Sequence, residues 1–386
     1  MSIDPYKSKE AYLRWKAKVK NGIPTISPQN SDVIKRYLED MEIGHNVAIS
    51  NKKGARGFMR LNSLRFRMIF LTRKFEELFG LTDIINVQEE QLLNFFSQMR
   101  NGELLRSTGE QYKSVKDFCN AFKAFWHWHQ KVHRKKSIDI RDITVDLDTT
   151  GDKPLWVYLD EEQVKTLADK AKYEYRVLMW FLLDTGIRAP TELVNLKVSD
   201  LKNNCKELDI RISKTFPRKI KLMLTTDLIQ GYIKDKQLKF DDYLFPINPI
   251  VANRYLKRLA YRVFGDGKSQ AGELYSKLTL YDFRHISCCY WLPRYKSESA
   301  LKYRFGWKKS DKIHYYSEFK GMRDTIAEED LLVDVTKTEI EKKLKQTWDE
   351  NSMLKERITI MEEQMTKIME LTNRMYEKIG GSQSNG

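Results

Sequence analysis

The chain has 386 residues, 41 % hydrophobic and 12 % aromatic, which is ample for packed cores and excludes general disorder. Its 68 Lys and Arg against 53 Asp and Glu leave a formal charge of +15, which favours a polyanionic partner, nucleic acid before an acidic membrane surface. No stretch approaches about 18 apolar residues and MSIDPYKSKEAYLRWK has no apolar leader core, so the expected protein is soluble and cytoplasmic, with no membrane partner.

The charge is unevenly placed. Residues 1–150 carry 26 basic against 18 acidic side chains and residues 151–333 carry 33 against 25, whereas from 334 onward there are 9 against 10. A polyanion would be gripped by the first two regions and not by the tail. The four cysteines, Cys119, Cys205, Cys288 and Cys289, have no zinc-ligand spacing and read as reduced core thiols.

In chain order, residues 1–25 are lysine-rich and read as a basic N-terminal arm, loose or with one short helix. From about 30 to 136 the apolar period is helical. SDVIKRYLEDMEI opens on a Ser–Asp cap, and SLRFRMIFLTRKFEELFG and VQEEQLLNFFSQMRNG each end on a glycine. A further helix carries Val115, Phe118, Phe122 and Phe125 on one face, with Lys113, Lys116 and Lys123 available to phosphates or simply to solvent.

The acidic, Gly- and Pro-containing stretch 137–154 breaks this period and marks a boundary. Beyond it, LDEEQVKTLADKA predicts a helix capped near Asp160, and YRVLMWFLLDTG a buried helix ending at Gly186. ELDIRISKTFPRKIKLMLT alternates apolar and basic residues about a Thr-Phe-Pro break and predicts a β-hairpin. Helices resume from about 250 to 335.

The tail repeats every seven residues. With Leu344 at position a, the a series is Leu344, Asn351, Ile358, Met365, Thr372 and Ile379. The d series is Ile340, Thr347, Leu354, Met361, Ile368 and Met375. Nine of the twelve are apolar, which predicts a coiled coil and self-association, with a helix folded back on its own chain as the alternative.

Three stretches set charge where a core is expected. In LLDTGIRAPTELVNL, Arg188 follows a glycine turn and precedes a helix opened by Pro190–Thr191–Glu192. It can fork onto phosphate oxygens or serve as a buried partner for Glu192. In LTLYDFRHISCCYWL, Arg284 and His285 lie in an apolar helix with Tyr281 one turn before Arg284. A buried arginine there calls for an internal carboxylate or a ligand. In YRFGWKKSDKIHYYSEFKG, Gly306–Trp307 precedes the Tyr315–Tyr316 pair.

Taken in this order, TGIR, a hairpin lysine, YxxRH, GW and a tyrosine ten residues after the glycine resemble the tyrosine recombinase (phage integrase) family over about 155–325. The GWKKS form is most like its archaeal integrase-type members. The resemblance implies a mainly α fold with a small β-sheet. Together with the lysine-rich start, the helical period and the heptads, it divides the chain into the arm, an all-α core-binding domain at 26–145, a mixed α/β catalytic domain at 154–335 and a coiled-coil helix at 336–380. It further implies a clamp on double-stranded DNA, a homo-oligomer on that DNA and a 3′-phosphotyrosyl intermediate needing no metal, cofactor or ATP.

Matched residue by residue, Arg188 and Arg284 stand as the two catalytic arginines, Lys214 as the hairpin lysine, Trp307 at the His/Trp position and Tyr316 as nucleophile. His285 is the histidine that commonly follows the second arginine, and Glu192 the acid after the first. Tyr281 stands where the family usually has histidine. Rival readings are a type IB topoisomerase-like relaxing enzyme and a DNA-binding regulator on the same fold.

Overall fold

In the computed structural model, each early helix starts and stops where the sequence supplies a local partner for its end groups. The residues described are 3–48, 53–151, 154–295, 297–321 and 334–380. Helix α1 (Ser8–Lys18) is followed by α2 (Pro28–Ile43), α3 (Phe58–Phe79), α4 (Glu89–Asn101) and α5 (Val115–Arg134). Gly44, Gly80 and Gly102 close α2, α3 and α4 in the left-handed conformation.

The start of α2 differs from the expected Ser31–Asp32 cap. Ser27 caps it by accepting from the Asn30 N–H, with Pro28 in the first turn, because Pro28 has no N–H to satisfy there. Of the two forms expected for the N-terminal arm, loose or with one short helix, the described residues show the helix: α1 packs on α3 and buries Tyr12, and Ile3 exchanges hydrogen bonds with the Asn195 side chain at 2.6 and 3.0 Å.

One core of buried side chains runs from Tyr12 to Leu147. Its centre is aromatic: Phe75, Phe95, Phe122 and Phe125 are fully buried, and Phe75 meets Phe95 edge-on with ring centroids 5.0 Å apart. Such pairs add roughly 1 kcal/mol to the burial itself.

The following region is mixed. Helices α6 (Glu161–Asp169) and α7 (Tyr173–Thr185) precede a three-stranded antiparallel sheet, β1 (Leu201–Lys202), β2 (Glu207–Ile210) and β3 (Arg218–Lys221), in the order β1-β2-β3. The expected hairpin is the β2–β3 pair, with Leu208 opposite Ile220 and Ile210 opposite Arg218; β1 was not anticipated. Then come α8 (Thr226–Asp235), α9 (Pro249–Phe264), α10 (Asp282–Trp291), α11 (Glu298–Phe305) and α12 (Asp311–Phe319). Asp160 caps α6 with Gln163 completing the box, as its sequence predicts.

The helix expected from Pro190 is absent. The chain makes a turn there and a short 3₁₀ helix over Leu193–Asn195, because the Glu192 side chain folds back to accept from the Arg188 N–H. Of the four thiols, Cys119, Cys288 and Cys289 are buried, but Cys205 is half-buried in the β1–β2 turn.

Met1–Tyr316 form one compact unit and Ser317–Gly386 another. In the latter, α13 (Asp334–Gly380) is a single helix of 47 residues. Residues 152–153 and 322–333, within the stretches expected to be a boundary and a domain end, lie outside the described residues. So do the side chains of Ile340, Thr372, Met375 and Ile379. No described helix is long and apolar enough to cross a membrane.

Candidate active site

The ends of α7, α10 and α11 meet. Helix α7 stops at Gly186 (φ 59°), where a Cβ would stand 2.3 Å from Phe305 Cε1 and 2.8 Å from Ser287 Oγ, so only glycine lets the three approach. Arg284 reaches from α10 into this junction. Its Nη1 donates to the Gly186 carbonyl at 2.6 Å and its Nη2 to the Phe305 carbonyl.

Both acceptors lie at helix C-termini, where unpaired carbonyls carry partial negative charge. The guanidinium also lies 5.4 Å from the Phe305 ring centroid and 5.8 Å from that of Trp307. Of the two partners expected for Arg284, an internal carboxylate or a ligand, the described residues supply no carboxylate bond, and two carbonyls and two ring faces surround it instead. Burial, and then the like charge of Arg188, pull the Arg284 pKa below its ordinary value.

Arg188 sits across Gly306. Its Nη1 donates to Glu192 Oε1 at 2.9 Å and its Nη2 to the Gly306 carbonyl at 2.9 Å, leaving 13 % of the side chain exposed. Glu192 is buried and also receives Arg218 through two bonds, 3.1 and 2.9 Å, and the Ser213 hydroxyl at 2.7 Å. Burial opposes the charge on Glu192, but the Arg218 bonds and charge outweigh it and hold the pKa at about 2. Arg188 is therefore both a partner for Glu192 and an edge of a cationic cluster.

Lys214 lies exposed on the β2–β3 turn and makes no ion pair with any described residue. Its neighbours are anchored: Ser213 to Glu192, and Thr215 Oγ1 to the Gly306 carbonyl at 2.8 Å. The hairpin is thus tied to the arginine cluster on both sides of the lysine.

Tyr316 on α12 is only 4 % exposed, and its hydroxyl lies 2.5 Å from His285 Nδ1. Burial holds His285 down to about 4, with the charges of Arg284 and Lys312 adding, so the imidazole is neutral at pH 7 and can accept from the phenol. Burial, then the nearby Cys288, push the Tyr316 pKa well above its ordinary value of 10, with Arg284 opposing. Trp307 is sandwiched between Phe305 (4.8 Å, 18°) and Tyr316 (5.9 Å, 14°), so the stack Phe305–Trp307–Tyr316 links the arginine junction to the phenol.

Tyr281 caps α10, is 48 % exposed, and its ring meets that of His285 edge-on at 5.3 Å.

Two residues went unrecognised in the sequence. Arg218 is signalled weakly: it shares the buried face of β3 with Ile220, two residues on. Trp156 has no local signal. It stacks on His285 (4.7 Å, 25°), meets Tyr316 edge-on at 6.2 Å and donates its indole N–H to the Tyr315 hydroxyl at 2.8 Å. Asp282 accepts from the Val157 N–H at 3.2 Å, and Ser269 donates to the Trp156 carbonyl at 3.1 Å, which together fix that segment beside α10. No group of three His, Cys, Asp or Glu among the described residues could hold a metal.

The fold resembles three solved DNA complexes. One is the Tn1549 transposon integrase with circular intermediate DNA (TM-score 0.54, 16 % identity, covering 75 % of this chain and 94 % of that one). Another is a lambda integrase dimer bound to a COC′ core site (0.56, 14 %, 85 % and 85 %). The third is the XerH site-specific recombinase on a palindromic difH substrate, in a post-cleavage complex (0.53, 15 %, 69 % and 78 %). At these identities the likeness is one of fold. No curated protein matches the chain. Residues 157–320, the span holding Arg188, Lys214, Arg284, Trp307 and Tyr316, match the model of the phage integrase family.

Proposed function

We propose that this chain is a site-specific DNA strand transferase that cuts and rejoins duplex DNA through Tyr316. The observation that carries the reading is the Tyr316 hydroxyl on a neutral His285, beside a cluster holding Arg188 and Arg284. Tyr316 Oη attacks the phosphorus of a phosphodiester, His285 Nδ1 takes the phenolic proton, and the 5′ oxygen leaves with a proton from Lys214. The product is a 3′-phosphotyrosyl bond, and the reverse sequence rejoins the strand.

Charge gathering on the non-bridging oxygens would be met by the exposed edge of Arg188 and by Arg284, fixed donors that need no reorganisation. The basic excess of residues 1–333 supports a grip on DNA made mainly through phosphates and weakened by salt. The solved relatives bound to DNA, one of them as a dimer, support an assembly of several copies on that DNA. The GWKKS stretch favours the archaeal integrase-type branch.

Tyr316→Phe separates binding from chemistry. The variant is expected to shift a DNA site as the parent does and to form no SDS-resistant adduct on a nicked suicide substrate. An adduct from Tyr316→Phe would move the nucleophile elsewhere. Relaxation of supercoils by the parent with no need for paired sites would reassign the chain to a type IB topoisomerase-like activity.

A further inference from the structure

Helix α13 presents a feature that the cut-and-rejoin chemistry does not use. It runs unbroken for 47 residues, with no glycine or proline before its last position, and over Leu344–Glu370 its described side chains are exposed. Leu344, Leu354, Ile358, Met361 and Met365 stand 63, 54, 53, 64 and 62 % exposed. Leu354, Ile358, Met361 and Met365 follow at alternating steps of four and three, the spacing of a seam that two helices share. A helix carrying such a stripe in water gains by covering it.

We propose that the cover is α13 of a second copy of this chain, paired parallel and in register as a two-stranded coiled coil. Charges beside the seam select this arrangement. In a parallel pair the g position of one helix faces the e position of the next heptad of the other. Glu350 (g) then faces Lys355 (e) of the second copy, and Arg357 (g) faces Glu362 (e), each twice by symmetry, and all four side chains are exposed and free to meet.

The next such positions, Gln364 and Met369, carry no charge, and Met369, itself 56 % exposed, widens the apolar seam. Asn351 at an a position faces its own copy only when the helices are in register; a slip of one heptad sets it against Leu344 or Ile358 and strands a buried amide. The antiparallel arrangement that brings Glu350 opposite Arg357 places Asn351 against Leu354, with the same penalty. β-branched Ile358 at a with Leu354 at d is the combination that favours two strands.

The inference does not depend on the recombinase reading, and its test uses the full chain without DNA. Sedimentation of the parent at about 10 µM is expected to show a dimer. Two charge-exchanged variants are then compared: Glu350→Lys with Arg357→Glu, and Lys355→Glu with Glu362→Lys. Each alone sets four like-charge pairs across the seam and is expected to dimerise at least about 10-fold more weakly. An equimolar mixture restores every opposite-charge pair and is expected to recover parental affinity. A monomeric or trimeric parent, unaltered dimerisation of either variant alone, or a mixture no tighter than its components would each overturn the proposal.

Discussion

Replacing Glu192 by Gln tests the base of the arginine cluster. Glu192 is 1 % exposed and is shared by Arg188 and by the fully buried Arg218. Its pKa of about 2 in the fold, against an ordinary 4.5, is a separation worth about 3 kcal/mol at 1.36 kcal/mol per unit. Breaking a buried pair by removing one partner costs a similar amount, roughly 3–5 kcal/mol, because the guanidinium left behind is uncompensated. Glu192→Gln is therefore expected to lose about 3 kcal/mol of stability at pH 7.

The pH dependence gives the sharper check. A carboxyl whose folded pKa is depressed stabilises the protein above the unfolded value and stops doing so as pH falls through the folded one. Buried His129 and His285, both held at about 4, weaken parent and variant alike between about 6.5 and 4. The difference between the two proteins isolates Glu192. In urea titrations read by tryptophan fluorescence, that difference should hold from pH 7 to about 5 and shrink below 4.5. A difference that is constant with pH, or below about 1 kcal/mol at pH 7, would refute the assignment of Glu192 as the buried ionised hub.

Gly306→Ala is expected to lose about 1–3 kcal/mol and to form little DNA adduct. Gly306 sits at φ 61° and a Cβ would come 2.9 Å from Arg218 Nη1, a side chain locked by Glu192; urea titration and adduct yield check the two effects. Thiol reactivity reports the burial of α10: Cys288 is pushed well above the ordinary thiol range by burial and Cys119 up to about 11, so the half-buried Cys205 should take the first alkyl group, with four added only after unfolding. Peptide mass spectrometry that finds Cys288 modified first would contradict this packing.

Local chemistry was legible in the sequence and distant pairing was not. The glycines ending α2, α3, α4 and α7, the Asp160 box and the β2–β3 alternation each act within a few residues and could be read directly. Pro190–Thr191–Glu192 also looks like a helix start, but Glu192 spends its carboxylate on Arg188 and on Arg218, 26 residues away, and only a short 3₁₀ helix follows. The protein partners of Arg284 were hidden for the same reason: they are backbone carbonyls, 98 and 21 residues distant, which no side-chain pattern announces. Trp156 meets Tyr315 across 159 residues. The family resemblance supplied the order of Arg188, Lys214, Arg284 and Tyr316 and set Tyr281 ahead of His285, whereas it is His285 that meets the Tyr316 hydroxyl.

That reversal can be pressed further. Burial raises the pKa of the phenol and lowers that of the imidazole, so complete proton transfer before attack is disfavoured from both sides. The proton must instead move as the bond to phosphorus forms, or the pKa values must first converge. A phosphodiester seated at Arg188 and Arg284 does the second in part: it offsets the cationic field that, after burial, depresses His285. His285 is therefore expected to titrate higher in the DNA complex than in the free chain, by NMR of the labelled imidazole. His285→Gln is expected to lower single-turnover adduct formation by about 100-fold or more at unchanged DNA affinity, in keeping with loss of a positioned base. The parental rate should fall on its acid side as His285 protonates, and the variant should lack that limb. Parental rates from His285→Gln, or an acid limb that survives the substitution, would return the proton to another acceptor, with Tyr281, whose ring lies 5.3 Å from that of His285, to test next.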